Sequence, residues 1–581
     1  MTRDGRTRVT RRRTTYDILL FGILMVVLFL PLLQQKLLHI PLKPLNGVTL
    51  EEEQPEFSLE AYRSGDYARQ EEAYLGSHFG FREPIIRLYN QYLWNCYRKT
   101  YAHDVVGGKK NWLYYPESVR DYYGEEMLRW QPSVEAARHN FDLDVKYMDW
   151  VRTILKENNV ELLAFMAPEK GALYPEYLPD RMPDTSTFNA REYFEQRFME
   201  TNFPCIEMTR WFRQMKDTVC YPLIPQTGAH WLFPAVYAAD SLFRLMGDLK
   251  GVALPKLNIG PLHESDNHGA DNDLEHLLNL SLPIRKHNGY SPTAEVTVTC
   301  DAQTVKPKVL FIGNSFMWGI VNHIPMREVF ENVEFWYYFS TAYSGEDLMQ
   351  TQPVVDLNLL EKLLDFDYVV WFTTGNQMNK GTDGFAQAAL LNLCVGDSLQ
   401  KAMRAHIADS LKLSGSPNDL YTKTQAILLQ HPEIIPGLNG DSLPTLRNPE
   451  LRYAPYTKDI RKDSLWMTAL EAQAFLRTAT LKTMLHAEAD HIMQGKTLYR
   501  DQKDEIQFGL QCRQEMEKLM EKMRGREETM RIVKEKAEKF DKSLEQALED
   551  DAKWLIRQKY HLDRCRFVDD PDAEIPISTL K

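Results

Sequence analysis

The chain has 581 residues, a net charge of −12 and seven scattered cysteines, and these features exclude several classes of protein. Its length exceeds what one hydrophobic core supports, so we expect two or three domains. The acidic balance argues against a nucleic-acid-binding protein, and the odd cysteine count argues against a disulfide-stabilised scaffold, although Cys205 and Cys220 could pair in an oxidising compartment. The sequence has no zinc-finger spacing and no Walker-type loop, and we expect neither a metal nor a cofactor.

The N-terminal residues 1–40 combine six arginines, all between Arg3 and Arg13, with an uncharged apolar run over residues 18–33. A helix over residues 16–37 would be about 33 Å long, enough to cross the core of a bilayer. The basic cluster predicts a cytoplasmic N-terminus, with the rest of the chain outside. A cleaved signal peptide is the alternative. Because the run is long and residues 32–40 lack a small-x-small pattern, we favour a retained, single-pass anchor in the cytoplasmic membrane.

Residues 41–104 contain a proline-containing, acidic linker followed by an aromatic-rich segment with helical spacing. We expect most of these aromatic residues to pack on a later domain. From residue 105 to 385, strand and helix patterns alternate, which predicts an α/β domain with a mostly parallel sheet flanked by helices. A hairpin is predicted over residues 105–115. Residues 386–581 have helical patterns and are predicted to form an all-α region.

The strongest functional signal is the stretch KVLFIGNSFMWGI, residues 308–320. Its four consecutive apolar residues predict a strand buried on both faces, and Ser315 follows at a strand-to-helix turn. Open α/β sheets place their active sites beyond the carboxyl ends of such strands. The N–H groups of the turn, including that of Ser315, could hold an oxyanion. A helix-capping role for Ser315 is the alternative.

Three other polar residues occupy loop positions in the predicted α/β domain. His230, in TGAHW, precedes a helix and is a candidate general base, although a lone histidine is often structural. Asn376 follows the strand predicted at 368–373 and either donates to an oxyanion or caps a turn. Lys170 either binds substrate or is simply solvated, and solvation is the simpler expectation. The acidic run at residues 266–280 lacks EF-hand spacing, so solvation or capping explains it better than calcium binding.

Five short stretches carry a resemblance to a known family. YLGSHFGFR, GGKKNWLYY, MAPEKGALYPEYLP, TGAHW and VLFIGNSF occur in this order within residues 57–320, and together they resemble the SGNH-hydrolase-like proteins of polysaccharide O-acetylation, the alginate O-acetyltransferase type. The resemblance implies a flavodoxin-like SGNH core on the periplasmic side of the membrane. It also implies that Ser315 accepts an acetyl group and passes it to a polysaccharide hydroxyl, with His230 as base, and that an integral membrane acyltransferase supplies the acetyl group.

Two positions depart from the family's pattern. Gly228 stands where the family often has an aspartate two residues before the histidine, and Asn314 stands where it usually has an aspartate before the serine. The second change is mild, whereas the first removes the group expected to orient the imidazole. Asp266 and Asp240 are candidate substitutes, and a Ser-His dyad is the other possibility.

The missing aspartate keeps alternative functions open. Gly228 favours a non-catalytic relative that binds glycan or scaffolds a membrane acetylation complex. An acetylesterase would share the same serine and histidine, and it differs only in whether water reaches the acyl-enzyme.

Overall fold

The computed structural model describes residues 4–38, 40–47, 52–180, 188–265, 270–285, 291–415, 417–431, 440, 442–445, 447–477, 479–540, 542–560 and 562. In chain order, the strands are β1 (Val106–Gly107), β2 (Leu113–Tyr114), β3 (Glu161–Ala167), β4 (Cys205–Glu207), β5 (Lys256–Ile259), β6 (His263–Glu264), β7 (Pro292–Thr293), β8 (Val296–Thr299), β9 (Lys308–Gly313), β10 (Asn332–Tyr337), β11 (Thr341–Ser344), β12 (Gln350–Pro353) and β13 (Tyr368–Thr374).

The α-helices are, in the same order, α1 (Asp4–Leu33), α2 (Leu59–Ser64), α3 (Asp66–His78), α4 (Arg82–Tyr97), α5 (Pro116–Tyr122), α6 (Val134–Glu157), α7 (Lys170–Leu173), α8 (Ala190–Glu200), α9 (Thr209–Lys216), α10 (Ala235–Lys250), α11 (Asp273–Leu277), α12 (Met317–Val321), α13 (Met326–Val329), α14 (Leu359–Asp365), α15 (Gly375–Met378), α16 (Phe385–Cys394), α17 (Asp397–Ser410), α18 (Pro417–Gln430), α19 (Ala454–Lys462), α20 (Ser464–Arg477), α21 (Leu481–Gln494), α22 (Lys503–Arg524), α23 (Glu527–Phe540) and α24 (Leu544–Lys559).

The chain divides into two compact units. The first comprises Met1–Asp149, Leu162–Asp356 and Tyr368–Asp383, and the second comprises Trp150–Glu161, Leu357–Asp367 and Gly384–Lys581. The residues of the first unit build most of a seven-stranded sheet. From Gly384 onward, the regular elements among the described residues are helices, as the sequence pattern predicts.

The seven-stranded sheet has the order β12-β11-β10-β9-β13-β3-β4. Strand β9 pairs in parallel with both β10 and β13, and β3 pairs in parallel with β4. Within this sheet, the antiparallel pairings described are those of β11 with β10 and with β12, at one edge. This confirms the prediction of a mostly parallel sheet. Residues 309–312 are at most 2% exposed, as expected of a parallel strand covered on both faces.

The core beneath the site is aromatic. Phe165 on β3 stacks on Phe372 on β13 with ring centroids 4.9 Å apart, and the fully buried indole of Trp231 packs against both rings. Gly319 on α12 lies so close to this indole that a Cβ there would come within 2.6 Å of it. The tight fit holds α12 against the Trp231 loop, and this fixes the position of the serine turn that precedes α12.

The N-terminal segment is less enclosed than the sequence suggests. Within α1, Tyr16–Leu33 is long and apolar enough to cross a membrane, and none of it is buried in the protein. Helix α4 buries only Trp94, whereas Leu88, Tyr89 and Tyr92 are each about half exposed or more. The expectation that most aromatic residues of this segment pack on a later domain is therefore wrong for α4.

Cys205 and Cys220 are both free thiols rather than a disulfide pair.

The second unit has its own apolar contacts. One cluster joins α20, α22, α23 and α24 through residues such as Leu476, Cys512 and Leu548, and another joins α19, α20 and α21. Arg557 on α24 donates to the carbonyl groups of Phe475 and Leu476 at the end of α20, at 2.7 and 2.9 Å. A buried arginine that caps a helix end in this way satisfies carbonyl groups that the helix itself leaves unpaired.

Candidate active site

Ser315, His230 and Asp273 form a continuous chain of hydrogen bonds beyond the carboxyl end of β9. The Ser315 hydroxyl and His230 Nε2 are 2.7 Å apart, and His230 Nδ1 lies 2.7 Å from Asp273 Oδ2. If Nδ1 carries the ring proton and donates it to the carboxylate, Nε2 is free to accept from the serine. The structure thus brings together the serine and the histidine singled out by the sequence and adds an acid behind them.

Asp273 is the residue that the sequence analysis missed. It is the first residue of α11 and lies inside the acidic run that was assigned to solvation or capping. Its Oδ1 accepts two backbone hydrogen bonds, from Ala229 and Leu274, each 2.8 Å long, which directs Oδ2 towards the imidazole. The sequence offered only an aspartate at a helix start, because its proximity to the histidine loop, 43 residues earlier, is visible only in the structure. The helix-start position by itself predicts only a cap.

The two acids proposed from the sequence do not take this position. Asp240 lies on α10, where its carboxylate pairs with Arg244 one turn later. Asp266 lies outside the described residues. Gly228, which replaces the expected aspartate, instead presents its carbonyl oxygen to a buried lysine. The carboxylate that contacts the His230 imidazole therefore comes from about forty residues after the histidine rather than from two residues before it.

Lys170 holds the loop that carries His230. Its ammonium group is buried, and it donates to the carbonyl oxygens of Pro225, Gln226 and Gly228 at 2.6, 3.1 and 2.5 Å. Three acceptors match the three N–H groups of an ammonium. The expectation that Lys170 is solvated is therefore wrong, and substrate binding by Lys170, which also lines the serine cavity, stays a prediction. Burial lowers the pKa of Lys170 well below its ordinary value, whereas the nearby Asp273 and Glu169 carboxylates act in the opposite direction.

The serine turn and the histidine loop are joined directly. The Trp231 indole N–H donates to the Phe316 carbonyl at 2.7 Å, so the residue after the histidine bonds to the residue after the serine. The Asn314 side chain accepts from the Phe316 N–H within the same turn. Among the described residues, the Ser315 N–H has no hydrogen-bond acceptor. It is therefore available to a ligand, as an oxyanion-binding group must be.

Asn376 follows β13 and lines the same cavity as Ser315. Its amide oxygen accepts from the Thr374 hydroxyl at 2.6 Å, and no acceptor for its amide N–H groups occurs in the described part of the chain. The sequence left open whether Asn376 donates to an oxyanion or caps a turn. In the structure, the Asn376 amide N–H groups lie at the wall of the cavity that contains Ser315, so Asn376 has a donor available for a ligand there.

The cavity has a volume of about 400 Å³ and is open to solvent. Its walls combine aromatic faces with charged and hydrogen-bonding groups. The aromatic residues are Tyr115, Trp130, Phe316, Tyr337 and Tyr338, and the charged residues include Asp104, Glu117, Arg129 and Lys380. A lining of this kind suits a ligand with both apolar faces and many hydroxyl groups.

Two buried carboxyl groups, Glu169 and Asp121, lie close to each other, and Glu169 forms part of the cavity lining. Burial, together with the neighbouring Asp121 carboxylate, raises the pKa of Glu169 to about 7. Burial likewise raises the pKa of Asp121 to about 6, against the opposing effect of a hydrogen bond from Asn379. One Glu169 oxygen has no hydrogen-bond partner in the structure as described.

Comparisons with known proteins give weak likenesses only. No protein-family model and no curated protein matches the chain. Among solved structures, the chain is similar to the O-acetyltransferase domain of Pseudomonas putida AlgJ, with 16% identity, a TM-score of 0.32, and coverage of 47% of this chain and 92% of that domain. Pseudomonas aeruginosa AlgX gives 12% identity and a TM-score of 0.30, with coverage of 54% of this chain and 71% of that chain. Bacillus cereus PatB1 with a sulfonyl adduct gives 12% identity and a TM-score of 0.28, with coverage of 48% of this chain and 99% of that chain.

Proposed function

We propose that the protein is a serine O-acetyltransferase that transfers acetyl groups to hydroxyls of a polysaccharide. The observation that carries the proposal is the Asp273–His230–Ser315 hydrogen-bond chain, which ends at a cavity open to solvent. A serine hydroxyl becomes a useful nucleophile only when a positioned base accepts its proton, and a carboxylate behind that base stabilises the resulting imidazolium. We choose acetyl as the transferred group and a polysaccharide as the acceptor because five stretches of the sequence resemble the alginate-type O-acetyltransferases.

In the first half-reaction, Ser315 Oγ attacks the carbonyl carbon of the acetyl donor while His230 Nε2 takes the hydroxyl proton. The carbonyl oxygen becomes an oxyanion, which the Ser315 N–H and the Asn376 amide are placed to receive. When the tetrahedral intermediate collapses, the bond to the donor's leaving group breaks and His230 returns the proton to that group. An acetyl ester on Ser315 remains.

In the second half-reaction, a sugar hydroxyl attacks the acetyl-serine ester. His230 now takes the proton of this hydroxyl and then gives it to Ser315 Oγ as the ester bond breaks, which regenerates the enzyme. The aromatic residues lining the cavity offer faces for a sugar ring, and the charged residues offer partners for its hydroxyls.

The proposal includes a location and a donor. The apolar segment of α1 would anchor the protein in the cytoplasmic membrane, with the catalytic unit on the periplasmic side, because arginines precede the segment. The acetyl group would then come from an integral membrane acyltransferase, which is the partner implied by the family resemblance.

An acetylesterase is the second candidate. The His230 and Asp273 side chains are 25% and 29% exposed, so water reaches the base that would activate it. Transfer and hydrolysis then differ only in which hydroxyl arrives at the acetyl-serine ester first. A non-catalytic scaffold has less support, because Asp273 supplies the acid whose apparent absence favoured it.

The test supplies a chromogenic acetyl ester to the full-length protein, with and without a mixture of oligosaccharides, and identifies the products by mass spectrometry. A transferase forms acetylated oligosaccharide, whereas an esterase releases only acetate. Ser315→Ala should abolish either activity while the protein stays folded. Ser241→Ala, which removes a hydroxyl from α10, is the matched control and should behave like the wild type. Equal turnover by Ser315→Ala and the wild type would refute both functions.

A further inference from the structure

A second hydrogen-bond relay runs beside the triad, from the serine turn to Asn376. The Phe316 N–H donates to Asn314 Oδ1 at 3.1 Å, Asn314 Nδ2 lies 2.7 Å from Thr374 Oγ1, and Thr374 Oγ1 lies 2.6 Å from Asn376 Oδ1. Asn314 is 3% exposed and Thr374 is 1% exposed, so the first two bonds of the relay are shielded from water, whereas the bond to Asn376 is partly buried. The relay connects β9 with β13, the two central strands that end at the cavity.

The direction of every proton in this relay follows from its first bond. A backbone N–H can only donate, so the side-chain oxygen of Asn314 must face Phe316 and its amide nitrogen must face Thr374. Asn314 therefore donates to Thr374. The threonine hydroxyl has one proton, and among the described residues the Asn376 side chain is its acceptor, so Thr374 receives the Asn314 N–H on one side and donates to Asn376 on the other. The Asn376 oxygen is thereby held by Thr374, and its NH₂ group is left for the cavity.

We propose that Asn314 and Thr374 are positioning residues that fix the orientation of the Asn376 amide, so that an N–H group rather than a carbonyl oxygen meets the oxyanion. This inference rests on the proposed acyl-transfer function. The two amide orientations have nearly the same shape but opposite polarity, so packing alone does not choose between them. The relay makes the choice, because only one orientation can accept the Thr374 proton.

The residue at position 314 consequently sets the polarity of the site. An aspartate has the same shape as Asn314, but an ionised carboxylate only accepts hydrogen bonds. It would draw the Thr374 proton to itself and leave the threonine oxygen as an acceptor towards Asn376. The Asn376 NH₂ group would then turn to the threonine, and its carbonyl oxygen would face the developing negative charge. This effect depends on Thr374, because in this chain the residue at position 314 acts on Asn376 only through the threonine hydroxyl.

The test measures kcat and KM for a chromogenic acetyl ester with Asn314→Asp, with Thr374→Val and with the control Thr373→Val. The control removes the neighbouring buried hydroxyl, which donates to the Thr374 carbonyl instead of the relay. Loss of one oxyanion donor costs about 100- to 1,000-fold in kcat, and we expect this loss for Asn314→Asp with KM changed by less than about threefold. Thr374→Val leaves the amide unoriented and should cost about tenfold, whereas Thr373→Val should retain wild-type kcat.

A double-mutant cycle separates positioning from general damage to the fold. In an Asn376→Ala background there is no amide to turn, so Asn314→Asp should lower kcat by no more than about threefold further. The inference is overturned if Asn314→Asp retains wild-type kcat. It is also overturned if Asn314→Asp lowers kcat by the same factor in the Asn376→Ala background as in the wild-type protein. If Ser315→Ala still turns over the ester like the wild type, or if the wild-type protein has no activity, the proposed function fails and the inference fails with it.

Discussion

The sharpest prediction concerns Asp273→Asn, because the surrounding bonds dictate how the new amide must lie. The Ala229 and Leu274 N–H groups both point at the Oδ1 position, and they can be satisfied only by an oxygen there. The amide nitrogen of the asparagine is therefore forced to the Oδ2 position, 2.7 Å from His230 Nδ1. Two donors would then meet unless Nδ1 gives up its proton, so the ring proton moves to Nε2.

An imidazole protonated on Nε2 cannot accept the Ser315 proton, and the first step of the reaction is blocked. In a serine protease, the same change of tautomer costs about 10⁴-fold in kcat, which corresponds to about 5 kcal/mol of transition-state stabilisation. Here the His230 side chain is 25% exposed, so water can partly replace the lost carboxylate. We therefore expect a loss of about 10³-fold to 10⁴-fold in kcat for a chromogenic acetyl ester, with KM little changed.

Asp240→Asn is the matched control, because it makes the same chemical change in an aspartate that pairs with Arg244 at the surface of α10. It should retain wild-type turnover. Thermal unfolding of both variants should lie close to that of the wild type, which separates a catalytic defect from a folding defect. Turnover by Asp273→Asn within tenfold of the wild type would refute Asp273 as the orienting acid. It would leave a Ser315–His230 dyad as the working centre.

Three further predictions concern stability. Lys170→Met should lower the free energy of unfolding in urea by about 3 kcal/mol, because it leaves three buried carbonyl groups unpaired, and a loss below 1 kcal/mol would contradict that role. Gly319→Ala should lower it by about 1–3 kcal/mol through overpacking against Trp231, and an unchanged melting temperature would show that α12 shifts freely. Because burial raises the pKa of Glu169 to about 7 and of Asp121 to about 6, the native state binds more protons than the unfolded chain between about pH 4 and pH 7. The free energy of unfolding should therefore fall by about 6 kcal/mol across that range and level off above it, and Glu169→Gln should remove about half of the fall; a profile that rises instead would contradict the assignment.

Most of the α/β architecture could be predicted from the sequence because its signals are local. Continuous apolar runs predict β9 and β13, and the Gly-Gly between two apolar pieces predicts the hairpin of β1 and β2, whose strands pair as expected. Ser315 was identifiable for the same reason, since a buried strand followed by a serine turn occupies a few consecutive residues. Each of these features is decided by neighbours in the chain.

Asp273 and Lys170 were misjudged because their roles depend on contacts between distant segments. An aspartate in an acidic run and a lysine after a strand look solvated when only their neighbours are considered. Lys170 becomes buried only when three carbonyl groups of a loop more than fifty residues away surround its ammonium group. The polarity of the Asn314 relay is likewise invisible in the sequence, because Thr374 lies sixty residues away from it.

The central position of β13 has a consequence for how the active protein comes into being. This strand hydrogen-bonds the part of the sheet that contains β9 to the part that contains β3, yet it is the last of the described strands to be synthesised. Ser315 leaves the ribosome ~60 residues earlier, which amounts to several seconds at typical rates of translation. Until β13 arrives, the sheet exists as two unjoined pieces and Asn376 is absent. The two parts of the sheet can therefore join, and Asn376 can line the cavity, only once nearly two thirds of the polypeptide has been made.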